Sequence, residues 1–306
     1  MIPTARLFRG ALALLLTLTL LAPAASLAET SVTISSDDLN PAEGLSDDWT
    51  NILLIGTDTR ENVADVSRSD TMMICAIHKE TGEIRLASLA RDMWVSIPGL
   101  RGHHKLNAAH SYGGPNLLMK TINTLFGMNL TRYVSLNFYG MSELVDAIGG
   151  VELDLTAGEV VYINGRVKEV YGGEAATLLP SGAQTTTLNG AQALSFARIR
   201  QLDSDFGRTA RQRKLLSALL EKVRGFSLAE QLALYARAQD CVSTNVSPAE
   251  LLELGALILD SELQISELSL PEHFSYDNSD GVSKVVFDQA EVTQTLHAFI
   301  YGEDEP

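Results

Sequence analysis

The run Ile52-Leu53-Leu54-Ile55, closed by Gly56, is apolar at every position. A strand with one wet face alternates apolar and polar side chains, so a short unbroken run marks a strand covered on both faces. It directs the chain toward a sheet with helices on either side.

The segments that follow fit that plan. Thr71 to His78 and Ile84 to Leu89 read as two strands, and the Thr81-Gly82 core of the segment between them is a hairpin turn. They should be antiparallel neighbours, and counting outward from the turn sets Asp70 opposite Arg91 at one edge of the sheet. If the first strand runs parallel to the third, Asp58 reaches the same edge. Pro115 to Phe126 reads as a helix stopped by Gly127, Tyr133 to Phe138 as a strand, Ser142 to Ile148 as a helix stopped by Gly149-Gly150, and Val151 to Leu155 as a strand. The expected fold is α/β, a three-layer α/β/α domain with a central mixed sheet and no repeat of fixed period.

The second half is less regular. Val160 to Thr187, rich in Gly and Thr, is expected to be a long excursion over one face of the site. Asn189 to Leu194 reads as a short helix, and Phe196 to Arg200 alternates as a strand does, which would turn Arg198 and Arg200 to one face. Arg208 to Arg224 and Pro248 to Leu259 read as helices, Ile265 to Leu270 and Val285 to Phe287 as strands, and Val292 to Ile300 as a closing helix.

Residues 1–28 stand outside the expected fold. Arg6 and Arg9 precede the apolar run Ala11 to Leu21, and Ser26-Leu27-Ala28 closes it, the pattern of an export signal. The run of 11 residues is below the lower limit for a membrane span, roughly 17 residues, and a cleaved signal peptide and an uncleaved signal anchor both stay open. Residues 29–50 are polar and acidic and are expected to form a flexible linker with nothing to pack. Residues 51–306 then form one domain, its motif-bearing part spanning 51–223, delivered across a membrane. The net charge of −15 becomes −17 without Arg6 and Arg9, which argues against nucleic acid and against general binding to anionic lipid surfaces. Cys75 and Cys241 read as two buried thiols rather than a disulfide.

An anionic ligand must therefore find a local basic site, and the helix after Gly207 offers one. Arg208, Arg211 and Gln212 occupy the stripe that Leu215, Leu216 and Leu219 continue. Guanidinium groups on a face that should be buried need carboxylate partners or a bound anion, and the helix N-terminus adds N–H groups suited to phosphate. Ion pairs with Asp203 and Asp205 would account for any one of these arginines. They account less well for the set, because Arg198, Arg200, Arg91, and Arg60 and Arg68 in the loop Asp58 to Asp70 converge on the same edge. Arginine forks grip phosphate oxygens, and carboxylates beside them can hold magnesium, for which Asp58 and Asp70 are the natural candidates. His103, His104 and His110 lack the spacing of a zinc site on a helix. No G-x-S-x-G elbow, Walker A loop or dinucleotide fingerprint is present.

Several stretches together match one known family. They are Asn51-Ile-Leu-Leu-Ile-Gly-Thr-Asp58, Arg68-Ser-Asp70-Thr-Met, Ser88-Leu-Ala-Arg91-Asp92, Lys105-Leu-Asn107 through Tyr112-Gly-Gly114, and Leu188-Asn-Gly-Ala-Gln-Ala-Leu194 through Arg198-Ile-Arg200 to Asp205-Phe-Gly-Arg208-Thr-Ala-Arg211-Gln212. In this order, from Asn51 to about Val223, the chain resembles the LytR-CpsA-Psr proteins. The resemblance implies a membrane-associated, extracytoplasmic enzyme of the cell envelope, working at the outer leaflet. Such an enzyme moves a teichoic-acid-like or capsule-like polymer from undecaprenyl pyrophosphate to peptidoglycan. It implies that Arg68, Arg91, Arg198, Arg200 and Arg208, with Gln212, hold the pyrophosphate. Asp58 and Asp70 would bind magnesium (Mg2+), and Asp205 would orient the arginines or assist proton removal. Ala90 and Met93 depart from the proline and threonine usual in the family, which bears on the shape of the turn more than on its chemistry.

On this reading an acceptor hydroxyl attacks the sugar carbon attached to pyrophosphate, Asp58 or Asp205 takes its proton, and the arginines and magnesium stabilise the leaving group. The prenyl chain needs an apolar tunnel, for which the leucine stripes of the Arg208 to Arg224 and Pro115 to Phe126 helices are candidates, closed core being the plainer reading. Hydrolysis of the same lipid, and non-catalytic capture of polyprenyl phosphates, are the alternative functions.

Overall fold

The computed structural model describes residues 32–57, 68–171, 178–203, 205–227, 230, 234, 242–260 and 264–302. In chain order these form β1 (Trp49–Thr57), β2 (Ser69–His78), β3 (Ile84–Leu89), β4 (Trp94–Ser96), β5 (His103–Lys105), α1 (Ala108–Phe126), β6 (Arg132–Asn137), α2 (Phe138–Ala147) and β7 (Val151–Leu155). There follow α3 (Ala157–Tyr171), β8 (Gln184–Leu188), α4 (Gly190–Ala197), α5 (Asp205–Arg224), β9 (Val242–Thr244), α6 (Pro248–Asp260), β10 (Ile265–Leu270), β11 (Ser275–Asp277), β12 (Lys284–Val286) and α7 (Gln289–Tyr301).

The apolar run in β1 is covered on both sides. Leu53 and Ile55 enter a core with Leu117, Ile122 and Phe126 of α1 and Leu296 of α7. Ile52 and Leu54 face the other way, toward Leu220 of α5 and Leu254 and Ile258 of α6. The sheet between these layers has the order β10-β3-β2-β1-β6-β9. It is mixed: β1 and β3 are antiparallel to β2, β6 runs parallel to β1 and β10 parallel to β3, and β9 is antiparallel to β6. The three-layer α/β/α arrangement is therefore as expected, with β1 and β3 running the same way.

Four local expectations are corrected. Val160 does not open an irregular excursion; it lies in α3, whose start is a reciprocal cap between Thr156 and Glu159, with Thr156 N–H donating to Glu159 Oε2 at 2.9 Å and Glu159 N–H to Thr156 Oγ1 at 3.3 Å. Val160, Ile163 and Val167 follow at helical spacing and are buried. Phe196 to Arg200 is not a strand. Asn189 and Gln192 form a capping box that starts α4, the helix runs through Phe196 and Ala197, and Arg198 is its C-cap. The alternation of Phe196, Ala197, Arg198 and Ile199 spans the end of a helix packed by Ala193 and Phe196, and the chain is irregular from Ile199 onward.

The third correction concerns β7, which pairs with β8 in a separate two-stranded sheet rather than extending the central one. Its alternating burial shows one wet face. The fourth concerns the linker: the part that is described, residues 32–48, packs on the domain. Val32 N–H donates to Tyr112 O at 2.8 Å and Ala42 N–H to Met128 O at 2.9 Å. Leu39 is 2% exposed, and Lys120 Nζ meets Asp38 Oδ2 at 2.6 Å. One leucine buried to this degree contributes about 1.5–3 kcal/mol, enough to seat an otherwise polar segment.

Pro115 opens the longer part of α1, as expected, but the helix begins earlier, at Ala108, and kinks at Gly113-Gly114. At Gly113 a Cβ would lie 2.5 Å from Val32 O, so this glycine is the landing place of the N-terminal segment.

Candidate functional site

The site is built where β2 begins and β3 ends. The hairpin pairs Met73 with Ser88, and the same register carried outward brings Asp70 to Arg91. Arg91 Nη1 donates to Asp70 Oδ1 at 2.6 Å. Two more guanidinium groups arrive from the helical layer: Arg200 Nη2 donates to Asp70 Oδ2 at 3.0 Å, and Arg208 Nη2 donates to the Asp70 carbonyl at 2.9 Å with its Nη1 3.7 Å from Oδ2. Residues 70, 91, 200 and 208 thus meet in one place, as expected. Burial pushes the Asp70 carboxyl upward, and Arg208, Arg91 and Arg200 more than offset this, holding it below the usual aspartate range.

These arginines differ in setting. The Arg208 side chain is 2% exposed, in the first turns of α5, whereas that of Arg200 is 42% exposed on the loop after α4. Arg198 is half-buried at the C-cap of α4, placed there by the helix end and not by a shared strand face with Arg200. Arg68 is exposed, just ahead of β2. Asp58 and Arg60 lie outside the described residues. Asp205 opens α5, and its side chain lies outside them too.

Arg211 obeys the plainer reading. Its Nε meets Glu159 Oε1 at 2.7 Å and its Nη2 meets Asp203 Oδ2 at 2.7 Å, so it is a structural tie between α3, α5 and the loop carrying Arg200. Desolvation opposes the charge of Arg211, but the Asp203 and Glu159 carboxylates outweigh it and raise its affinity for the proton. Sequence reasoning assigned no role to Asp92 and Lys105. Lys105 Nζ meets Asp92 Oδ1 at 2.8 Å, and Arg91 Nε lies 3.7 Å from Asp92 Oδ2, so the pair braces Arg91 from outside. The adjacency of Asp92 to Arg91 was the available signal.

Beneath the arginines an apolar cavity lies between the sheet and α5. It holds about 1260 Å³, counting the space at its opening. Met73, Cys75 and Ile77 of β2 form its floor, Val134 and Leu136 one wall, and Leu215, Leu216, Leu219 and Leu220 of α5 its roof. Gly56, Thr71, Asn137, Ala197 and Gln212 also line it. Thr71 follows Asp70, and Gln212 sits one helical turn after Arg208, so this polar end adjoins the arginines. The Gln212 Oε1 atom is buried and without a hydrogen-bond partner among the described residues. The leucines of α5 line the space, where closed core was the plainer expectation; Leu117 and Leu118 of α1 do not, being closed core on the other side of the sheet. Burial pushes the Cys75 thiol up to about 12, which makes it an inert part of the lining. Cys241 lies outside the described residues.

Among the described residues no group of three or more His, Cys, Asp or Glu is arranged to hold a metal ion. Asp70 is a hard-oxygen donor of the kind that magnesium takes, and its two carboxylate oxygens already accept from Arg91 and Arg200.

The family model described as "LytR_cpsA_psr family" matches residues 21–299. The polyisoprenyl-teichoic acid–peptidoglycan teichoic acid transferase TagU of Enterococcus faecalis is 35% identical over 175 residues, which cover 56% of this chain and 53% of that protein. The transferase of the same description named TagT, of Bacillus subtilis, is 32% identical over 179 residues, covering 58% and 53% respectively. The chain spans about half the length of the curated relatives it matches. Among solved structures, TagT bound to LIIa-WTA aligns with a TM-score of 0.70 at 24% identity, over 89% of this chain and 98% of that one. The LytR-CPS2A-psr family protein YwtF (TagT) with bound octaprenyl pyrophosphate lipid aligns with a TM-score of 0.65 at 22% identity, over 89% and 99%. The likeness at these identities is one of fold.

Proposed function

The chain belongs to the LytR-CpsA-Psr family, and from that premise we propose that it transfers a secondary cell-wall glycopolymer from a polyprenyl-pyrophosphate carrier to peptidoglycan. The observation that carries this reading is the gathering of Arg91, Arg200 and Arg208 on Asp70 at the polar end of an apolar cavity. A prenyl diphosphate needs this combination, an anion grip continuous with a hydrocarbon slot. One TagT structure carries octaprenyl pyrophosphate lipid, and curated relatives are named teichoic acid transferases.

In the proposed mechanism the prenyl chain lies along Leu215, Leu216 and Leu219 and the diphosphate meets Arg91, Arg200 and Arg208, with Arg198, Arg68 and Gln212 completing the grip. The acceptor hydroxyl displaces the lipid carrier, and the charge that grows on the departing phosphate oxygens meets fixed guanidinium groups. Asp70 is a poor base, because its proton affinity is lowered, and its role is to hold the arginines in place. Asp58 or Asp205 takes the hydroxyl proton. Asp70 and Asp58 are the residues that would hold magnesium, which would supply further neutralisation of the leaving group. We place the domain outside the cytoplasmic membrane, exported by residues 1–28 and working at the outer leaflet.

The test is incubation of the purified chain with labelled lipid-linked glycan, with and without peptidoglycan. Label should enter peptidoglycan, and release of free glycan at the same rate without acceptor would replace transfer by hydrolysis. Released lipid diphosphate indicates attack at the sugar carbon, whereas lipid monophosphate moves the attack to phosphorus.

A further inference from the structure

β10 runs parallel to β3 and pairs Leu270 with Leu89, so the chain after Leu270 emerges at the sheet edge where Arg91 stands. It then forms the β11–β12 hairpin, which is fastened at both ends of the arginine site. Val285 N–H donates to Asp92 O at 2.9 Å, next to Arg91. Phe274 stacks on Phe206, two residues before Arg208, with ring centroids 4.6 Å apart and planes at 20°. Tyr276 meets Phe274 edge-on at 5.3 Å. Phe274 is 37% and Tyr276 53% exposed, and Val286 beside them is 41% exposed. Exposed aromatic rings in a row, rimmed by polar groups and continuous with a reaction site, mark a surface for a ligand.

The charge around the rings narrows the ligand. Glu272, Asp277 and Asp280 are carried on this segment, and the cation facing Asp277 and Asp280 is Lys284, which is itself 7% exposed. An acidic rim repels a phosphodiester chain and tolerates a neutral one. The apolar C–H face of a pyranose ring fits an aromatic face, and its hydroxyl groups fit carboxylates.

We propose that Phe206, Phe274 and Tyr276 form a subsite for an uncharged sugar of the glycan that meets the arginine site, on the acceptor side. This rests on the transfer reading above. The test is calorimetric titration of the full chain with a soluble N-acetylglucosamine tetramer. Phe274→Ala and Tyr276→Ala should each weaken binding roughly tenfold. Val161→Ala, which alters an apolar residue 71% exposed elsewhere, should leave it unchanged. The same hairpin variants should bind polyprenyl diphosphate at wild-type strength. No heat with the unaltered chain, equal affinity in the hairpin variants, or preference for a glycerol phosphate oligomer would each overturn the assignment. So would loss of lipid binding together with sugar binding, which would mean a collapsed hairpin. The transfer reading fails on a separate result, retention of transfer by Arg200→Ala.

Discussion

Asp70 and Arg91 face each other across the β2–β3 hairpin, Oδ1 to Nη1 at 2.6 Å, and this pair is the fixed point on which Arg200 and Arg208 close. Removing the charge with Asp70→Asn keeps the shape and leaves three guanidinium groups without their shared counter-ion. The site is partly buried, so a loss of about 1–3 kcal/mol is expected by denaturant titration, below the full cost of a buried pair because solvent reaches Arg200. Transfer should fall to background. The Asp70 proton affinity is lowered by folding, so its contribution is complete above the ordinary aspartate range and fades as pH drops through the folded value. Asp70→Asn should therefore flatten the acid limb of the stability curve, and an unchanged limb would show that other groups govern it.

Arg200 and Arg208 touch the same aspartate from settings that separate chemistry from folding. Arg200→Ala removes a side chain 42% exposed and should change stability by no more than about 1 kcal/mol. It should lower transfer roughly a hundredfold or more if its guanidinium meets the leaving group. Arg208→Ala removes a side chain 2% exposed and should cost about 3–5 kcal/mol. Thermal unfolding and turnover measured on both variants decide this, and full activity in Arg200→Ala would remove it from the site.

Parts of this arrangement were legible in the sequence for definite reasons. A two-residue period and one turn suffice to place Asp70 opposite Arg91, and a leucine stripe that turns polar at Arg208, Arg211 and Gln212 signals a buried anion site or buried ion pairs. The ion pairs occur, with Arg208 on Asp70 and Arg211 on Glu159 and Asp203, and the anion grip is the part that we propose. The strand expected at Phe196 to Arg200 was wrong because alternation over five residues is weaker than the Asn189–Gln192 capping box, which commits the backbone to a helix. Thr156 and Glu159 carry the same signal for α3. The seat of residues 32–48 was hidden because one leucine, Leu39, supplies an anchor that composition averages away.

The cavity should discriminate by chain length. Leu216→Trp adds a large ring to the roof above Met73 and Cys75, and because it enters existing space its effect on folding should stay within about 1–3 kcal/mol. Long-chain polyprenyl phosphate should then bind far more weakly while a ten-carbon analogue binds as before, read by native mass spectrometry. Equal weakening of both would place the lipid elsewhere.

Gly207 shows how the loop bearing Arg200 is held. A Cβ at this position would lie 2.2 Å from the Asp203 carboxyl carbon, and Asp203 is clamped by Arg211 at 2.7 and 3.2 Å. Gly207→Ala must therefore expel Asp203 from that clamp, uncoupling the loop from α5, and should cost about 1–3 kcal/mol and lower transfer through displacement of Arg200. A double-mutant cycle separates this from a local helix effect. If the clash is with Asp203, Gly207→Ala added to Asp203→Ala should cost almost nothing more, since the carboxylate it would strike is gone. Additive losses in stability would mean that Gly207 is required for some contact other than the one with Asp203.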